Sequence, residues 1–296
     1  MNDHASALRV GLIGLGAMGE PMARHLHARG MLRVVGNRSL AKAEGLATEL
    51  GVLAGASTAD FVNCNTLILC VSADTDVLEN VSALALALQP GSVVVDHSTV
   101  ARATAQQAAA LLVARGIRFI DAPVSGGVEG ARTGRLSIMA GGDATDLEHV
   151  RPALEAYAAR ITLMGDVGAG QSTKAVNQVL VAGISQAVCE GLALGEALGL
   201  DPERLLPTLG AGAAANWFLD KRGATMLRSE FTPGFKCAHL LKDLRIVDEM
   251  ATQAGVAHPV LLQSLADYAE LVARGRGADD TSALITLKRE GGALLD

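Results

Sequence analysis

LRVGLIGLGAMG, residues 8 to 19, is the stretch that decides the fold. Its apolar run, Leu8–Ile13, predicts a buried strand, three glycines follow, and a helical pattern begins directly after them. In such a strand–turn–helix unit the first glycine permits a tight turn. The second lets the backbone approach a pyrophosphate, and the third lets the helix pack on the strand. We expect the positive N-terminus of that helix to bind the phosphates of a dinucleotide. The predicted cofactor-binding residues of this turn are Gly14, Gly16, Ala17, Met18 and Gly19.

Short apolar runs alternate with helical patterns through the first half of the chain. Further strands are predicted at Leu32–Val35, Thr66–Val71, Ser92–Val95, Arg118–Ile120, Leu136–Ala140 and Ile161–Met164. Helices are predicted at Pro21–Arg29, Ala41–Leu50, Asp76–Leu88, Thr104–Arg115 and Asp146–Ala158. Strands without polar alternation are typical of parallel sheets covered by helices on both faces. The pattern therefore predicts an α/β fold with a Rossmann-type, doubly wound parallel sheet.

After Gly170 the character of the sequence changes. Residues 171–198 contain no proline and predict one helix of about 40 Å at ~1.5 Å per residue. The later segments also have helical patterns, so an all-helical C-terminal domain is predicted. We expect a nucleotide-binding domain at 1–165 and a substrate and dimerisation domain at 166–296, which begins with the long helix.

Composition excludes several classes of function. The net charge is -6 and no run of Lys or Arg occurs, which argues against nucleic acid. The four cysteines form no CxxC pair and the histidines no HExxH pair, so no metal site is predicted. The segment Val176–Leu200 is apolar, but its glutamines and glutamates favour a buried helix at a domain or subunit interface over a membrane span. Without a signal-peptide pattern at Met1–Ala7, we expect a cytoplasmic protein, and the Ala-rich second half predicts a homodimer or homotetramer.

The end of the second predicted strand bears on which dinucleotide binds. NAD enzymes commonly place a carboxylate there to bind the ribose hydroxyls. Here the sequence is Gly36-Asn37-Arg38-Ser39, without a carboxylate. Arg38 can pair with a 2′-phosphate while Asn37 and Ser39 add hydrogen bonds. The sequence therefore predicts NADP, with NAD as the alternative cofactor.

Three later segments are unlike ordinary packing. Asp121–Gly127 follows a strand and is predicted to be a loop whose exposed amides, with the Ser125 hydroxyl, bind a carboxylate. Lys174 and Asn177, three residues apart, share one face of the long helix. Lys242-Asp243 lies on a later predicted helix, after the Pro233-Gly234-Phe235 segment.

With these segments identified, the chain resembles the β-hydroxyacid dehydrogenase family over nearly its whole length. This family includes 3-hydroxyisobutyrate dehydrogenase and tartronate semialdehyde (2-hydroxy-3-oxopropionate) reductase. Four segments stand in the family's order: Gly14–Gly19 with Pro21-Met22-Ala23, Asp121–Gly127 with Gly141-Gly142, Gly168-Ala169-Gly170 through Lys174 and Asn177, and Lys242-Asp243-Leu244. Gln178 is a departure, since many relatives have asparagine or histidine there.

The resemblance implies roles for individual residues. It makes Lys174 the catalytic lysine and Asn177 its neighbour that orients the substrate. Ser125, Gly126 and Gly127 become the loop for the substrate carboxylate, and Lys242 lies near both nicotinamide and substrate. The cofactor-lining residues that it adds are Val71, Ser72, Ser98 and Thr99. Phe235 is a further substrate-pocket candidate, because it precedes Lys242 by two turns on what we expect to be the same helix face.

The expected activity is NADP-dependent interconversion of a small 3-hydroxy acid and its semialdehyde. Lys174 would protonate the substrate oxygen in reduction and take the hydroxyl proton in oxidation. A glyoxylate or succinic semialdehyde reductase and an imine reductase are alternatives within the enzymes, and a dinucleotide-binding redox sensor is the non-enzyme alternative. The sequence does not choose among the substrates.

Three further residue groups have competing interpretations. Cys64 and Cys70 are expected in the core, with reactive thiols as the alternative. His97 is either a cofactor neighbour or an ordinary loop histidine. Trp217 and Phe218 are expected in the helical core, with a substrate pocket as the alternative.

Overall fold

The computed structural model describes residues 8–290 of the 296-residue chain. Within that range, nine strands form one sheet. They are β1 (Val10–Ile13), β2 (Leu32–Gly36), β3 (Leu53–Gly55), β4 (Thr66–Leu69), β5 (Val93–Asp96), β6 (Arg118–Asp121), β7 (Val124–Ser125), β8 (Leu136–Gly141) and β9 (Ala158–Gly165). The helices of the same part of the chain are α1 (Gly19–Ala28), α2 (Leu40–Leu50), α3 (Asp74–Ala87), α4 (Arg102–Val113), α5 (Gly127–Thr133) and α6 (Ala144–Leu154).

The strand order is β3-β2-β1-β4-β5-β6-β8-β7, with β9 paired to β8. The first six strands in this order are parallel, as in a doubly wound sheet. Strand β8 then runs antiparallel to β6 and β7, and β9 runs parallel to β8. Successive strands are added on one side of β1 up to β3, and from β4 onward they are added on its other side. Ligands of such sheets bind at the carboxyl ends of the strands where this order reverses, between β1 and β4.

The apolar strands are buried on both faces, which confirms the α/β prediction. Along β5, Val93 and Val95 belong to one hydrophobic core and Val94 to the other. Neighbouring residues of a strand point to opposite faces, so these two cores lie on the two sides of the sheet.

Several predicted boundaries were wrong in ways that bear on the site. The predicted helix Asp146–Ala158 ends at Leu154, and Ala158 already begins β9. The segment Asp121–Gly127, predicted as a loop, contains the short strand β7 and leads into helix α5. Sequence pattern missed α5 because glycines at 127 and 130 weaken its helical signal.

The helical part of the chain begins with α7 (Ala169–Ala197), close to the predicted long helix. It continues with α8 (Pro202–Gly210), α9 (Trp217–Leu227), α10 (Cys237–Gln253), α11 (Pro259–Ala273) and α12 (Ile285–Glu290). These helices enclose a separate hydrophobic core, which includes Leu192, Leu240 and Tyr268.

The chain divides into two compact units between Lys174 and Ala175, inside α7. The boundary predicted at 165/166 lies before this point. It stays a prediction of where the nucleotide-binding domain ends and the substrate and dimerisation domain begins. Helix α7 is long and apolar enough to cross a membrane by length and composition alone, and 44% of its most apolar window is buried within the protein. The core helix of a soluble protein can have the same length and composition, so these two properties are weak evidence for a membrane span.

Candidate active site

The glycine turn between β1 and α1 depends on the absence of side chains. Gly14 adopts φ +103, and a Cβ there would lie 2.2 Å from the Cys70 carbonyl oxygen. A Cβ on Gly19 would lie 1.8 Å from the Gly14 oxygen, so α1 can begin this close to β1 only with glycine. A Cβ on Gly16, by contrast, meets no atom within 4 Å, which leaves space above the turn for a ligand. Gly14 and Gly19 therefore provide the turn and the close packing expected from the sequence, while pyrophosphate binding at Gly16 stays a prediction.

The end of β2 supports this turn. Asn37 accepts a hydrogen bond from the Leu15 backbone N–H at 3.1 Å and donates its amide to the Ser39 carbonyl at 3.3 Å. The Gly14 N–H donates to the Gly36 carbonyl at 2.9 Å. Arg38 and Ser39 are exposed beside these contacts, and Ser39 precedes α2 as its N-cap residue. Asn37 thus shapes the turn itself, while the predicted roles of all three residues toward a 2′-phosphate stay predictions.

The loops after β4 and β5 are joined by a buried serine. The Val71 N–H donates to the Ser98 hydroxyl at 2.9 Å, and the Ser98 N–H donates to Asp96 Oδ1 at 2.9 Å. The predicted cofactor-lining pairs, Val71-Ser72 and Ser98-Thr99, therefore lie side by side at the carboxyl edge of the sheet.

Asp96, at the end of β5, is fully buried. Its Oδ2 has no hydrogen-bond partner among the described residues. Burial raises the pKa of Asp96 to about 7, against hydrogen bonds from Ser98 that favour the carboxylate. Its position directly after a predicted strand is the signal that could have found this group.

Lys174 reaches the segment predicted to bind the substrate carboxylate. Its Nζ donates to the Val124 carbonyl at 2.8 Å, and only 8% of the residue is exposed. Val124 and Ser125 form β7, Gly126 is exposed at φ +127, and Gly127 opens α5 at φ +60. The first N–H groups of a helix have no partner within the helix, so this strand-to-helix corner still offers amides to an anion. The lysine contacts this corner, which is not an open loop, while the roles of both toward the substrate stay predictions.

Asp121 fixes the start of α7, a role that sequence reasoning missed. Its two carboxylate oxygens accept the backbone N–H groups of Gly168 at 2.7 Å and Gln171 at 2.8 Å. A negative group at a helix N-terminus is stabilised by the helix dipole. Burial nevertheless raises the pKa of Asp121, against those backbone hydrogen bonds. Lys174 lies three residues after Gln171, so Asp121 holds the first turns of the helix that carries the lysine.

Two glycines make this contact sterically feasible. A Cβ on Gly141 would lie 2.5 Å from Asp121 Oδ1, and one on Gly170 would lie 2.4 Å from the Met139 oxygen. Both glycines belong to segments that carried the family resemblance. Their role is to let the ends of β6 and β8 and the start of α7 meet.

Gln171, which also was not predicted, links α7 to the loop after β5. Its Nε2 donates to the Ser98 carbonyl at 2.8 Å, and its Oε1 accepts the Val100 N–H at 3.3 Å. The residue is 1% exposed. The loop with Ser98 and Thr99 is thus tied to the helix that carries Lys174.

In the second unit, four polar side chains form a chain of contacts. Asn177 Nδ2 donates to Gln178 Oε1 at 2.9 Å, and Gln178 Nε2 donates to Asp243 Oδ2 at 2.7 Å. The other Asp243 oxygen lies 3.0 Å from Lys242 Nζ. The departure at Gln178 thus links the predicted residues Asn177 and Lys242 through Asp243.

The structure corrects the reason for choosing Phe235. It lies in a bend before α10, which begins at Cys237, so it does not share a helix face with Lys242. The prediction had extended the helix of Lys242 back to Phe235. Phe235 is half-buried against the helical core. Phe218 is buried in that core, while Trp217 is 54% exposed. The core prediction is therefore confirmed for Phe218 and wrong for Trp217.

His97 is a core histidine. Its Nδ1 lies 2.6 Å from the Ala122 carbonyl and its Nε2 2.8 Å from the Tyr157 hydroxyl. A carbonyl only accepts, so Nδ1 donates to it and Nε2 accepts the Tyr157 proton. Burial lowers the pKa of His97 to about 4, so the ring is neutral.

Neither thiols nor a metal cluster complete the site. Burial raises the pKa of Cys64 to about 11 and that of Cys70 to about 12, and both pack with hydrophobic residues as expected. In the stretch from 8 to 290, no group of three or more His, Cys, Asp or Glu side chains is placed to hold a metal ion.

Both halves of the chain match models of known protein families. Residues 9–165 match the NAD binding domain of 6-phosphogluconate dehydrogenase, and residues 168–288 match the NAD-binding domain of NADP-dependent 3-hydroxyisobutyrate dehydrogenase. The chain is 35% identical to the 2-hydroxy-3-oxopropionate reductase of Escherichia coli over 94% of its own length and 96% of the relative's.

Two solved structures are also similar. The 3-hydroxyisobutyrate dehydrogenase of Mycobacterium tuberculosis, in complex with L-serine, has a TM-score of 0.85 and 29% identity, covering 95% of this chain and 98% of that one. Psf3 in complex with NADP+ and 2-OPP has a TM-score of 0.86 and 26% identity, covering 94% of this chain and 99% of that one. The chain therefore belongs to the β-hydroxyacid dehydrogenase family and is an NAD(P)-dependent oxidoreductase that acts on CH–OH groups.

Proposed function

We propose that this enzyme uses NADP to interconvert a small 3-hydroxy acid and its semialdehyde, of the tartronate semialdehyde or 3-hydroxyisobutyrate type, with Lys174 as general acid and base. The observation that carries the proposal is the contact between Lys174 Nζ and the Val124 carbonyl at 2.8 Å. It brings an ammonium group next to Ser125, Gly126 and Gly127, where a carboxylate can bind.

The residues at the glycine turn fit a nicotinamide dinucleotide. The open space at Gly16 and the N-terminus of α1 suit the pyrophosphate, and the exposed Arg38 suits a 2′-phosphate. When bound, the cofactor supplies or accepts the hydride. Support for NADP comes from Arg38 and from Psf3, a relative whose structure contains NADP+.

Lys174 handles the proton. In reduction the carbonyl oxygen gains negative charge, which the Lys174 ammonium stabilises and then neutralises by giving a proton. In oxidation the neutral amine takes the proton of the substrate hydroxyl. The Val124 carbonyl accepts one hydrogen of Nζ and so fixes its direction without neutralising its charge.

The substrate carboxylate is assigned to the β7–α5 corner. Ser125 offers its hydroxyl, and the glycines after it allow an anion to approach the backbone without a Cβ in the way. Asn177, one turn of α7 after Lys174, is assigned to orient the substrate, and Lys242 to lie near substrate and nicotinamide.

A single-residue variant tests the role of Lys174. In Lys174→Ala we expect kcat to fall by roughly 10²–10⁴-fold, the usual contribution of a general acid or base. NADPH binding, measured by its fluorescence, should be retained. Lys221→Ala, which removes an exposed lysine of α9, is the matched control and should keep its turnover. Near-native turnover in Lys174→Ala would remove this residue from the mechanism.

The substrate is tested by steady-state kinetics with both NADPH and NADH. The panel comprises tartronate semialdehyde, methylmalonate semialdehyde, glyoxylate and succinic semialdehyde, with L-serine in the oxidative direction. We expect the highest kcat/KM for one of the first two with NADPH. A preference for glyoxylate or succinic semialdehyde would favour that alternative, and tight NADPH binding without any turnover would favour a sensor.

Lys174 itself argues against the imine reductase alternative, since relatives of that type usually replace the catalytic lysine. Cytoplasmic location and homo-oligomeric assembly stay predictions from the sequence.

A further inference from the structure

The buried side chain of Gln171 pairs with the loop after β5 as a backbone segment would. Its Nε2 donates to the Ser98 carbonyl at 2.8 Å, and its Oε1 accepts the Val100 N–H at 3.3 Å. These two backbone groups stand on either side of Thr99. A carboxamide is planar and carries one acceptor and one donor group. Its two contacts therefore fix both the position and the orientation of this stretch of loop.

The backbone of Gln171 is held separately. Its N–H donates to Asp121 Oδ2 at 2.8 Å, and the Gly168 N–H donates to the other carboxylate oxygen at 2.7 Å. Both bonds involve backbone groups of α7, so they do not depend on the side chain at position 171. The carboxamide is thus not required to hold the start of the helix, and its contacts act on the loop.

Lys174 follows Gln171 by three residues of α7. Residues with this spacing share a helix face, and they are about 4.5 Å apart along the axis at ~1.5 Å per residue. Lys174 Nζ donates to the Val124 carbonyl at 2.8 Å. The short helical segment between them is rigid, so Gln171 fixes the Ser98-Thr99 loop relative to the lysine.

The proposed reaction requires these two parts to keep a fixed separation. In reduction, the hydride carries two electrons from the reduced nicotinamide to the carbonyl carbon, and Lys174 gives a proton to the carbonyl oxygen. The two receiving atoms are about 1.2 Å apart. A shift of about 1 Å between the loop beside the cofactor and the ammonium group would therefore misalign one of the two transfers. Misplacement of this size can cost about 100-fold in rate.

We propose that Gln171 is a positioning residue of this reaction, whose carboxamide keeps the loop predicted to line the nicotinamide in register with Lys174. The inference rests on the proposed function, because it takes Lys174 as the proton donor. It deepens that function by assigning control of kcat to a buried glutamine that performs no chemical step itself.

The loop keeps other contacts when this carboxamide is removed. The Ser98 N–H still donates to Asp96 Oδ1, and the Ser98 hydroxyl still accepts the Val71 N–H, each at 2.9 Å. The loop is therefore displaced and not lost. We expect a change at position 171 to lower kcat far more than it lowers the affinity for NADPH.

Gln171→Met tests this expectation, because methionine is similar in length and pairs with neither backbone group. We expect kcat to fall about 10–100-fold, while the dissociation constant of NADPH, measured by its fluorescence, stays close to that of the parent. Turnover is measured well below the unfolding midpoint of each protein, so that lost stability does not lower kcat. Gln186→Met is the matched control. Gln186 is buried on the same helix and donates to Asp267 at 2.9 Å, and its loss should leave kcat unchanged.

Gln171→Glu tests the same contacts through pH. A protonated carboxyl group can donate to the Ser98 carbonyl and accept the Val100 N–H, as the amide does, whereas a carboxylate can only accept. The ratio of kcat in this variant to kcat in the parent should therefore rise as the pH falls, by up to about tenfold per pH unit. Asp96 and Asp121, the carboxyl groups beside this position, titrate in both proteins, so the ratio removes their contribution.

A double-mutant cycle distinguishes this proposal from the proposed function. In Lys174→Ala no proton donor is left to be positioned, so adding Gln171→Met should lower kcat by less than about twofold. Near-native turnover in Lys174→Ala alone would refute the proposed function. A full additive loss in the double variant would leave that function standing and refute the positioning role.

Three further results would overturn the proposal. One is a kcat of Gln171→Met within about twofold of the parent's. Another is an equal loss of kcat in Gln171→Met and Gln186→Met, which would assign the effect to packing in general. The third is a kcat ratio for Gln171→Glu that does not change with pH.

Discussion

The buried carboxyl of Asp96 makes the stability of this protein depend on pH. One oxygen accepts the Ser98 N–H at 2.9 Å, while the other has no hydrogen-bond partner among residues 8–290. Burial raises its pKa from 3.8 to about 7. Because the folded state holds this proton more tightly than the unfolded chain does, the neutral form of the carboxyl favours folding.

The size of the effect follows from that shift. Between pH 5 and pH 7 the unfolded chain has lost the proton and the folded protein keeps it, so stability falls by about 1.4 kcal/mol per pH unit. The loss from this one group between pH 5 and pH 8 is therefore about 3 kcal/mol. It is complete once the pH exceeds the folded-state pKa.

Asp96→Asn removes the titration and keeps an oxygen for the Ser98 N–H. We expect the free energy of unfolding of the variant, minus that of the parent, to rise by about 3 kcal/mol from pH 5 to pH 8. The measurement is urea unfolding followed by far-ultraviolet circular dichroism at each pH unit. Taking the difference cancels every group that titrates alike in both proteins.

Asp143→Asn is the matched control. Asp143 is an exposed N-cap residue whose pKa is lowered by hydrogen bonds from the Asp146 and Thr145 N–H groups. Its stabilisation is present above the unfolded pKa and is lost only in more acid solution, so its difference curve should be flat from pH 5 to pH 8. A flat curve for Asp96→Asn as well would refute the reasoning.

The remaining predictions concern the cofactor turn and the sheet behind it. Arg38→Asp should lower the ratio of kcat/KM for NADPH to that for NADH by roughly 10–100-fold, because a charge-assisted pair is worth about 1.5–3 kcal/mol; an unchanged ratio would contradict the NADP assignment. Gly19→Ala should abolish NADPH binding in a fluorescence titration, since its Cβ would collide with the Gly14 oxygen. Gly45→Ala, in open space on α2, should instead raise stability by about 0.5–1 kcal/mol, and binding by Gly19→Ala as tight as in that control would refute the steric argument. Tyr157→Phe should cost about 1–3 kcal/mol in urea unfolding by leaving buried His97 Nε2 unpaired, and an unchanged midpoint would contradict that pairing.

Local chemistry made much of this protein predictable. The glycine turn could be interpreted from twelve residues, because the steric limits that require each glycine arise within the same strand–turn–helix unit. The parallel sheet followed from apolar runs such as Val93–Val95, whose burial on both faces depends on residue type alone. The segments of Lys174 and Ser125 were singled out from their own residues, but the catalytic role of Lys174 came from resemblance, since nothing local to either segment shows that they meet.

The contacts that position the lysine could not be predicted. Asp121 and Gly168 are 47 residues apart, and Gln171 and Ser98 are 73 residues apart. No periodicity connects such pairs, because they meet only once the sheet has formed. Phe235 failed for a local reason, because the helical pattern was extended back to it from Lys242, whereas α10 begins at Cys237.

The hydrogen bond between Asp121 and the Gly168 N–H also closes the intervening residues into a long loop of chain. Strands β7, β8 and β9 and helices α5 and α6 lie between these two residues, which are 47 positions apart in the chain. The entropy of closing such a loop changes only slowly with its length. Insertions or deletions in the turns of this loop can therefore change the surroundings of Ser125. Lys174 keeps its position, because the start of its helix is held by Asp121. Selection for a different hydroxy-acid substrate can act on this segment of the chain without moving the proposed proton donor, Lys174.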